Sequence, residues 1–157
     1  MESIYCVMAW ACHRRCKHCY EDRFRPYVRG ELAAVVHEAE HNFPRVIDHF
    51  PERMSYIDLA DAEGSRREKV GRIVLSGGES LLDATRESIT YPVIERLMQR
   101  YRAQGGVKIV VQTTGDLLTD RIVAELLEPV LKDARARRDQ ARSARSSRED
   151  IPGVAAS

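Results

Sequence analysis

Three of the four cysteines fall within eight residues, in the run Cys12-His13-Arg14-Arg15-Cys16-Lys17-His18-Cys19. Three thiolates that close together on a loop can converge on one metal centre. A four-iron cluster takes four ligands, and thiolates are the usual ones. A loop that supplies only three leaves one iron open to a small molecule, which separates a catalytic cluster from one that only carries electrons. The competing reading is a zinc-binding interaction module in which His13 or His18 joins Cys12, Cys16 and Cys19. Zinc sites of that kind pair Cys-x2-Cys halves across a longer loop, and the sequence has no second half. All four cysteines lie in the first 19 residues, where disulfides would staple very little chain. Cys6 sits inside an apolar strand pattern and reads as a buried core thiol.

The elements that must carry this loop follow from hydrophobic periodicity. Residues 4–9 read as a short buried strand and 10–22 as a loop crowded with Cys, His and Arg. Trp10 reads as packing. Leu32, Val35, Val36, Ala39, Phe43, Val46, Ile47 and Phe50 share one helical face, with Pro44 expected to kink or split the helix. Residues 51–71 are polar and read as an irregular insertion. Residues 72–76 form a second strand, ending in Gly77-Gly78-Glu79. A helix capped by Thr90, with Pro92 in its first turn, buries Val93, Ile94, Leu97, Met98 and Tyr101 and stops at Gly105-Gly106. Residues 107–112 make a third strand, followed by Thr113-Thr114-Gly115. Thr119 then caps a helix with Ile122, Val123, Leu126 and Leu127 facing inward. Short apolar strands alternating with amphipathic helices indicate an α/β fold with a parallel sheet.

The spacing Cys-x3-Cys-x2-Cys, with His18 in the aromatic place before Cys19, resembles the radical S-adenosylmethionine superfamily. The run from Cys16 to Tyr20 looks like its maturase branch of peptide-modifying and cofactor-building enzymes. Gly77-Gly78-Glu79 is similar to the family's Gly-Gly-Glu-Pro motif, with Ser80 in place of Pro. Thr113-Thr114-Gly115 stands where the family often has a Thr-Asn-Gly-like turn. The resemblance implies a partial (β/α) barrel of about three βα units and a [4Fe–4S] cluster on Cys12, Cys16 and Cys19. It further implies that the open iron chelates S-adenosylmethionine. Gly77, Gly78 and Glu79 would hold the methionine end, Thr114 would stand nearby, and His18 and Tyr20 would lie near the adenine. One electron, from an external donor such as flavodoxin or ferredoxin, then cleaves the sulfonium to methionine and a 5′-deoxyadenosyl radical. That radical abstracts hydrogen from a small-molecule or peptide substrate. In such a barrel the active site gathers at the carboxyl ends of the strands, so all three motifs should share one rim.

His37-Glu38-Ala39-Glu40-His41 matches the zinc-peptidase pattern His-Glu-x-x-His. On a helical wheel, however, His37 and His41 fall about 140° and 180° from the apolar stripe, on a solvated face. Pro44 and Ile47 also occupy the places of the Gly and His in the extended motif.

Composition sets the remaining bounds. The 157 residues are 43% hydrophobic and 31% charged, as in a globular protein. The net charge of +1 divides into a body of −2 and, from Lys132 onward, a tail of +3. That balance gives no call for nucleic acid, and the basic tail lacks the aromatic residues that would stack on bases. No stretch reaches the roughly 20 apolar residues of a membrane helix, and the first residues lack signal-peptide character, so a cytoplasmic address is expected. Two regions result: 1–131, a partial radical S-adenosylmethionine core, and 132–157, an Arg/Ala/Ser-rich tail, helical or disordered, set off by Pro129. Three βα units where the family core has six suggest a truncated or frameshifted product, a non-catalytic remnant, or a fragment that a partner chain completes.

Overall fold

A computed structural model describes residues 1–58 and 67–149. The chain divides into two compact units, Met1–Thr119 and Asp120–Ser157.

The first unit is a mixed α/β structure built on three parallel strands, β1 (Ser3–Val7), β4 (Arg72–Ser76) and β5 (Lys108–Val111), in the order β1-β4-β5. The register aligns Ile4, Ile73 and Ile109 in one row and Cys6, Leu75 and Val111 in another. Alternate residues of a strand point to opposite faces, so these two rows share a face, and Ile73 and Leu75 are fully buried in it. The row between them, Tyr5, Val74 and Val110, belongs to the other face, where Tyr5 is 69% exposed. The described residues thus form an open three-stranded sheet with β1 and β5 as its edges.

Helix α1 (Arg29–Asp48) runs unbroken through Pro44. The expected split does not occur; the ring removes only the bond to the Glu40 carbonyl, and the helix continues on either side. Ala39 and Ile47 are its buried positions, whereas Val46, placed on the apolar face by periodicity, is exposed. Residues 51–71 are not simply irregular. They contain an antiparallel pair, β2 (Ser55–Asp58) and β3 (Arg67–Val70); residues 59–66 lie outside the described part. Polar cross-strand contacts hold the pair: Ser55 Oγ donates to Glu68 at 2.6 Å, Arg53 pairs with Glu68 at 2.6 Å, and Lys69 pairs with Asp58. A ribbon stabilised this way has no apolar alternation to betray it. Its end joins the amino ends of the parallel strands, where Gly71 N–H donates to Met54 O (2.8 Å) and Arg72 N–H to Glu2 O (2.8 Å).

Helix formation after β4 starts earlier than the cap signal suggested. A short turn, α2 (Asp83–Thr85), passes through a π-helical turn at Arg86–Thr90 into α3 (Tyr91–Tyr101). Thr90 has helical dihedrals and no capping bond; instead its buried hydroxyl donates to Ser80 O at 2.7 Å. Pro92 accounts for the widened turn, because it offers no N–H and its ring crowds the carbonyl four residues back. Val93, Ile94, Leu97 and Tyr101 are buried as the periodicity required, Met98 only half so, and Gly105 and Gly106, at φ +89° and +99°, end the helix.

The described part of the second unit is one helix, α4 (Asp120–Glu149), which begins directly after Thr119 and continues through Pro129. Pro129 therefore does not interrupt, and the helical form of the tail holds as far as Glu149, in a stretch rich in the helix formers Ala and Arg. Residues 150–157 lie outside the described part. Ile122 is buried, but Val123 and Leu127, expected to face inward, are exposed. Among the described residues no helix is long and apolar enough to cross a membrane.

Candidate metal centre

The cysteine loop starts where β1 ends, and backbone bonds extend the β1–β4 pairing into it. Met8 N–H donates to Ser76 O at 2.9 Å, Gly78 N–H to Ala9 O at 2.9 Å, and Glu79 N–H to Ala11 O at 2.8 Å. The two glycines make this possible. Gly77 has φ +132°, and a Cβ on Gly78 would lie 1.9 Å from Ala11 O. Their shared role here is to let the β4 turn lie against the backbone that leads into Cys12. Gly78→Ala should therefore cost about 3 kcal/mol, whereas Gly30→Ala, with nothing within 4 Å of its Cβ, should be neutral or slightly stabilising. Thermal denaturation of the two variants checks the contrast.

The far end of the loop is closed by Cys12 N–H donating to Arg25 O at 3.1 Å. Buried Phe24 stacks on Trp10 and takes the edge of Tyr20, both with ring centroids at 5.3 Å. This small aromatic core frames the cysteines. Cys12, Cys16 and Cys19 are half-buried and free. A turn bond from Cys19 N–H to Cys16 O (3.1 Å) places those two on adjacent corners, and Arg14 N–H donates to Cys12 Sγ at 3.4 Å. Cys16 and Cys19 line a cleft of about 400 Å³ together with Arg15, Lys17, Glu21, Asp22, Phe24 and Arg25, a volume in the range of small-molecule sites. Cys6 is buried in the sheet, and burial pushes its thiol up, as expected of a core residue.

Glu79 is only 1% exposed. Its Oε1 accepts Leu81 N–H (2.9 Å) and the Thr113 hydroxyl (2.7 Å); its Oε2 accepts Thr114 N–H and the Thr114 hydroxyl (2.8 and 2.7 Å). Burial alone would raise its pKa, but the donors, led by Thr114, outweigh that and hold it below the ordinary carboxyl value. The motif after β4 and the motif after β5 are thus joined through one buried carboxylate.

Asp116 closes the circle. Its Oδ2 lies 2.8 Å from His13 Nε2 and accepts Arg14 Nη2 at 2.6 Å and Nε at 3.1 Å, while Thr114 Oγ1 contacts its Oδ1. Bonds from Thr114, Arg14 and His13 hold its carboxyl far below the usual range. The loops after β1, β4 and β5 therefore meet on one rim. His18 and Tyr20 are not drawn into that network: His18 is exposed, and Tyr20 is 78% exposed with its ring on Phe24.

Among the described residues, the one trio of ligand-type groups whose atoms lie within 4.8 Å of one another is His13, Glu79 and Asp116. Arg14 already supplies that trio with positive charge, and the lone pairs of Glu79 are taken. Among the described residues the three cysteine sulfurs do not form such a trio. Three free thiols on one loop are the donor type that zinc and iron–sulfur centres both take, and Arg15 and Lys17 lie among them. His37 and His41 are exposed on α1, in keeping with a solvated face.

Fold and site together define a small α/β protein with a three-cysteine loop at the carboxyl end of a parallel sheet. No family model, curated protein or solved structure matches the chain.

Proposed function

We propose that the chain is a core segment of radical S-adenosylmethionine type, with Cys12, Cys16 and Cys19 holding a [4Fe–4S] cluster beside a cofactor site. The carrying observation is that the cysteine loop, Gly77-Gly78-Glu79 and Thr113-Thr114-Gly115 are hydrogen-bonded to one another at the carboxyl ends of three parallel strands. On this reading the sheet is the first part of a (β/α) barrel, which a partner chain can complete, and flavodoxin or ferredoxin supplies the electron. When bound, the cluster and S-adenosylmethionine supply reductive cleavage of the sulfonium and a hydrogen-abstracting radical for a small-molecule or peptide substrate.

The chain's own residues do the rest. Arg15 and Lys17 keep positive charge beside the thiolates. Glu79 holds a negative charge under the rim, suited to a methionine ammonium. All four of its acceptor positions are engaged, so contact with an ammonium requires one donor to leave. The Thr114 hydroxyl, with a single hydrogen between Glu79 and Asp116, is the donor free to turn.

The test is electron paramagnetic resonance of anaerobically reconstituted, reduced protein with and without S-adenosylmethionine. A [4Fe–4S]⁺ signal that shifts when the cofactor is added is the expected result. Protein that takes up no iron, or a signal indifferent to the cofactor, would overturn the proposal.

A further inference from the structure

The geometry points to Asp116 as the positioning residue of the cysteine loop, clamping the arc between Cys12 and Cys16 onto the end of β5. This inference rests on the reading of those cysteines as cluster ligands.

The spacer between Cys12 and Cys16 is His13-Arg14-Arg15. Two of those three residues bond to one oxygen of Asp116, across more than a hundred residues of sequence. Asp116 is itself fixed: it follows Gly115 at φ +83°, and Thr114, which touches its Oδ1, is anchored to buried Glu79. The clamp therefore runs from the sheet interior, through Glu79, Thr114 and Asp116, to the backbone that carries two of the sulfurs. Each exposed contact alone would contribute little, since Arg14 and Asp116 are both accessible to water. Their value lies in convergence. A flexible loop must order three thiolates before it can take up a cluster, and a pre-fixed arc removes part of that cost. Groups that orient metal ligands from outside the coordination sphere typically change affinity by about 10–100-fold.

Arg14 also touches the loop's first thiol, because its amide donates to Cys12 Sγ at 3.4 Å while its guanidinium is bound to Asp116 at 2.6 Å. Asp116 holds that guanidinium to one side. Removing the carboxylate should free the charge to move toward the thiolates, which a purely structural contact would not do.

The experiment compares wild type with Asp116→Asn and Asp116→Glu. In iron-free protein, tryptic cleavage after Arg15 and Lys17, which do not touch Asp116, is expected to speed up about 10-fold in Asp116→Asn, with cleavage elsewhere unchanged. Iron uptake should weaken by about 10–100-fold, the reduction potential of the cluster should rise, and Asp116→Glu should restore part of each. Should Asp116→Asn fail to fold, the double variant His13→Gln/Arg14→Gln breaks the same contacts from the loop side and should give the same loop cleavage. Wild-type cleavage and iron uptake in a folded Asp116→Asn protein would overturn the clamp. A wild type that takes up no iron, but whose loop still loosens in Asp116→Asn, would leave the clamp standing and remove the cluster reading instead.

Discussion

Cys16→Ala should abolish cluster assembly, lowering iron from about four atoms per chain to well under one after reconstitution. The expectation follows from ligand number. The loop offers three thiols, and losing any one leaves two, too few to hold a four-iron cluster that also keeps one iron open. Cys16 is a telling choice because its side chain lines the cleft, while its carbonyl bond to Cys19 N–H is backbone and survives the substitution. The control is Cys6→Ala. Cys6 lies in β1 beside Leu75 of β4, and burial favours its protonated form. Its loss removes a small core side chain, costs about 1 kcal/mol, and should leave iron content unchanged. Iron analysis with the visible absorbance of the cluster separates the outcomes. A Cys16→Ala protein that still carries a full cluster would remove this cysteine from the ligand set. Loss of iron in Cys6→Ala, with folding intact, would bring the fourth cysteine into it.

Much of the framework is legible because its signals are local. Ile73, Val74 and Leu75 form an apolar run short enough for a strand, and β4 occupies residues 72–76 as that run indicates. The three motifs follow three strands, so a parallel sheet brings them to one end. The partners of the site are another matter. Glu79 meets Thr114 across 35 residues and His13 meets Asp116 across 103; spacing in sequence carries no trace of such contacts. Asp116 has only one local mark, its place just after a turn at a strand end. Gly77 and Gly78 are read from sequence as part of a motif for the methionine end, and in the structure a Cβ on either would also meet the chain's own backbone at Ala9 or Ala11. The β2–β3 ribbon escapes because Glu68 and Lys69 are exposed and held by pairing with Arg53 and Asp58, not by burial.

Glu79→Gln should lower stability by about 2–4 kcal/mol, a fall in melting temperature of roughly 10 °C. The substitution keeps shape and volume, so the cost is one of hydrogen bonding alone. Each carboxylate oxygen accepts a backbone N–H, Leu81 on one and Thr114 on the other. Hydroxyls can rotate to suit an amide, but backbone N–H groups cannot. Whichever way the glutamine amide turns, its NH₂ faces one of them, leaving a buried donor unsatisfied. The effect must also depend on pH. The folded pKa of Glu79 lies below its ordinary value of 4.5, so its ionised form stabilises the fold at neutral pH and loses that contribution as pH falls through the folded value. Glu21, drawn down to about 2 by Arg23, acts in the same direction but is common to both proteins. Melting curves of wild type and Glu79→Gln should therefore lie far apart at pH 7 and draw together as pH falls below the ordinary carboxyl value of 4.5. A gap that stays constant with pH would mean that the carboxylate charge is not what ties β4 to β5. A gap that closes on acidification makes Glu79 the buried anchor on which Thr114, Asp116 and the cysteine loop depend.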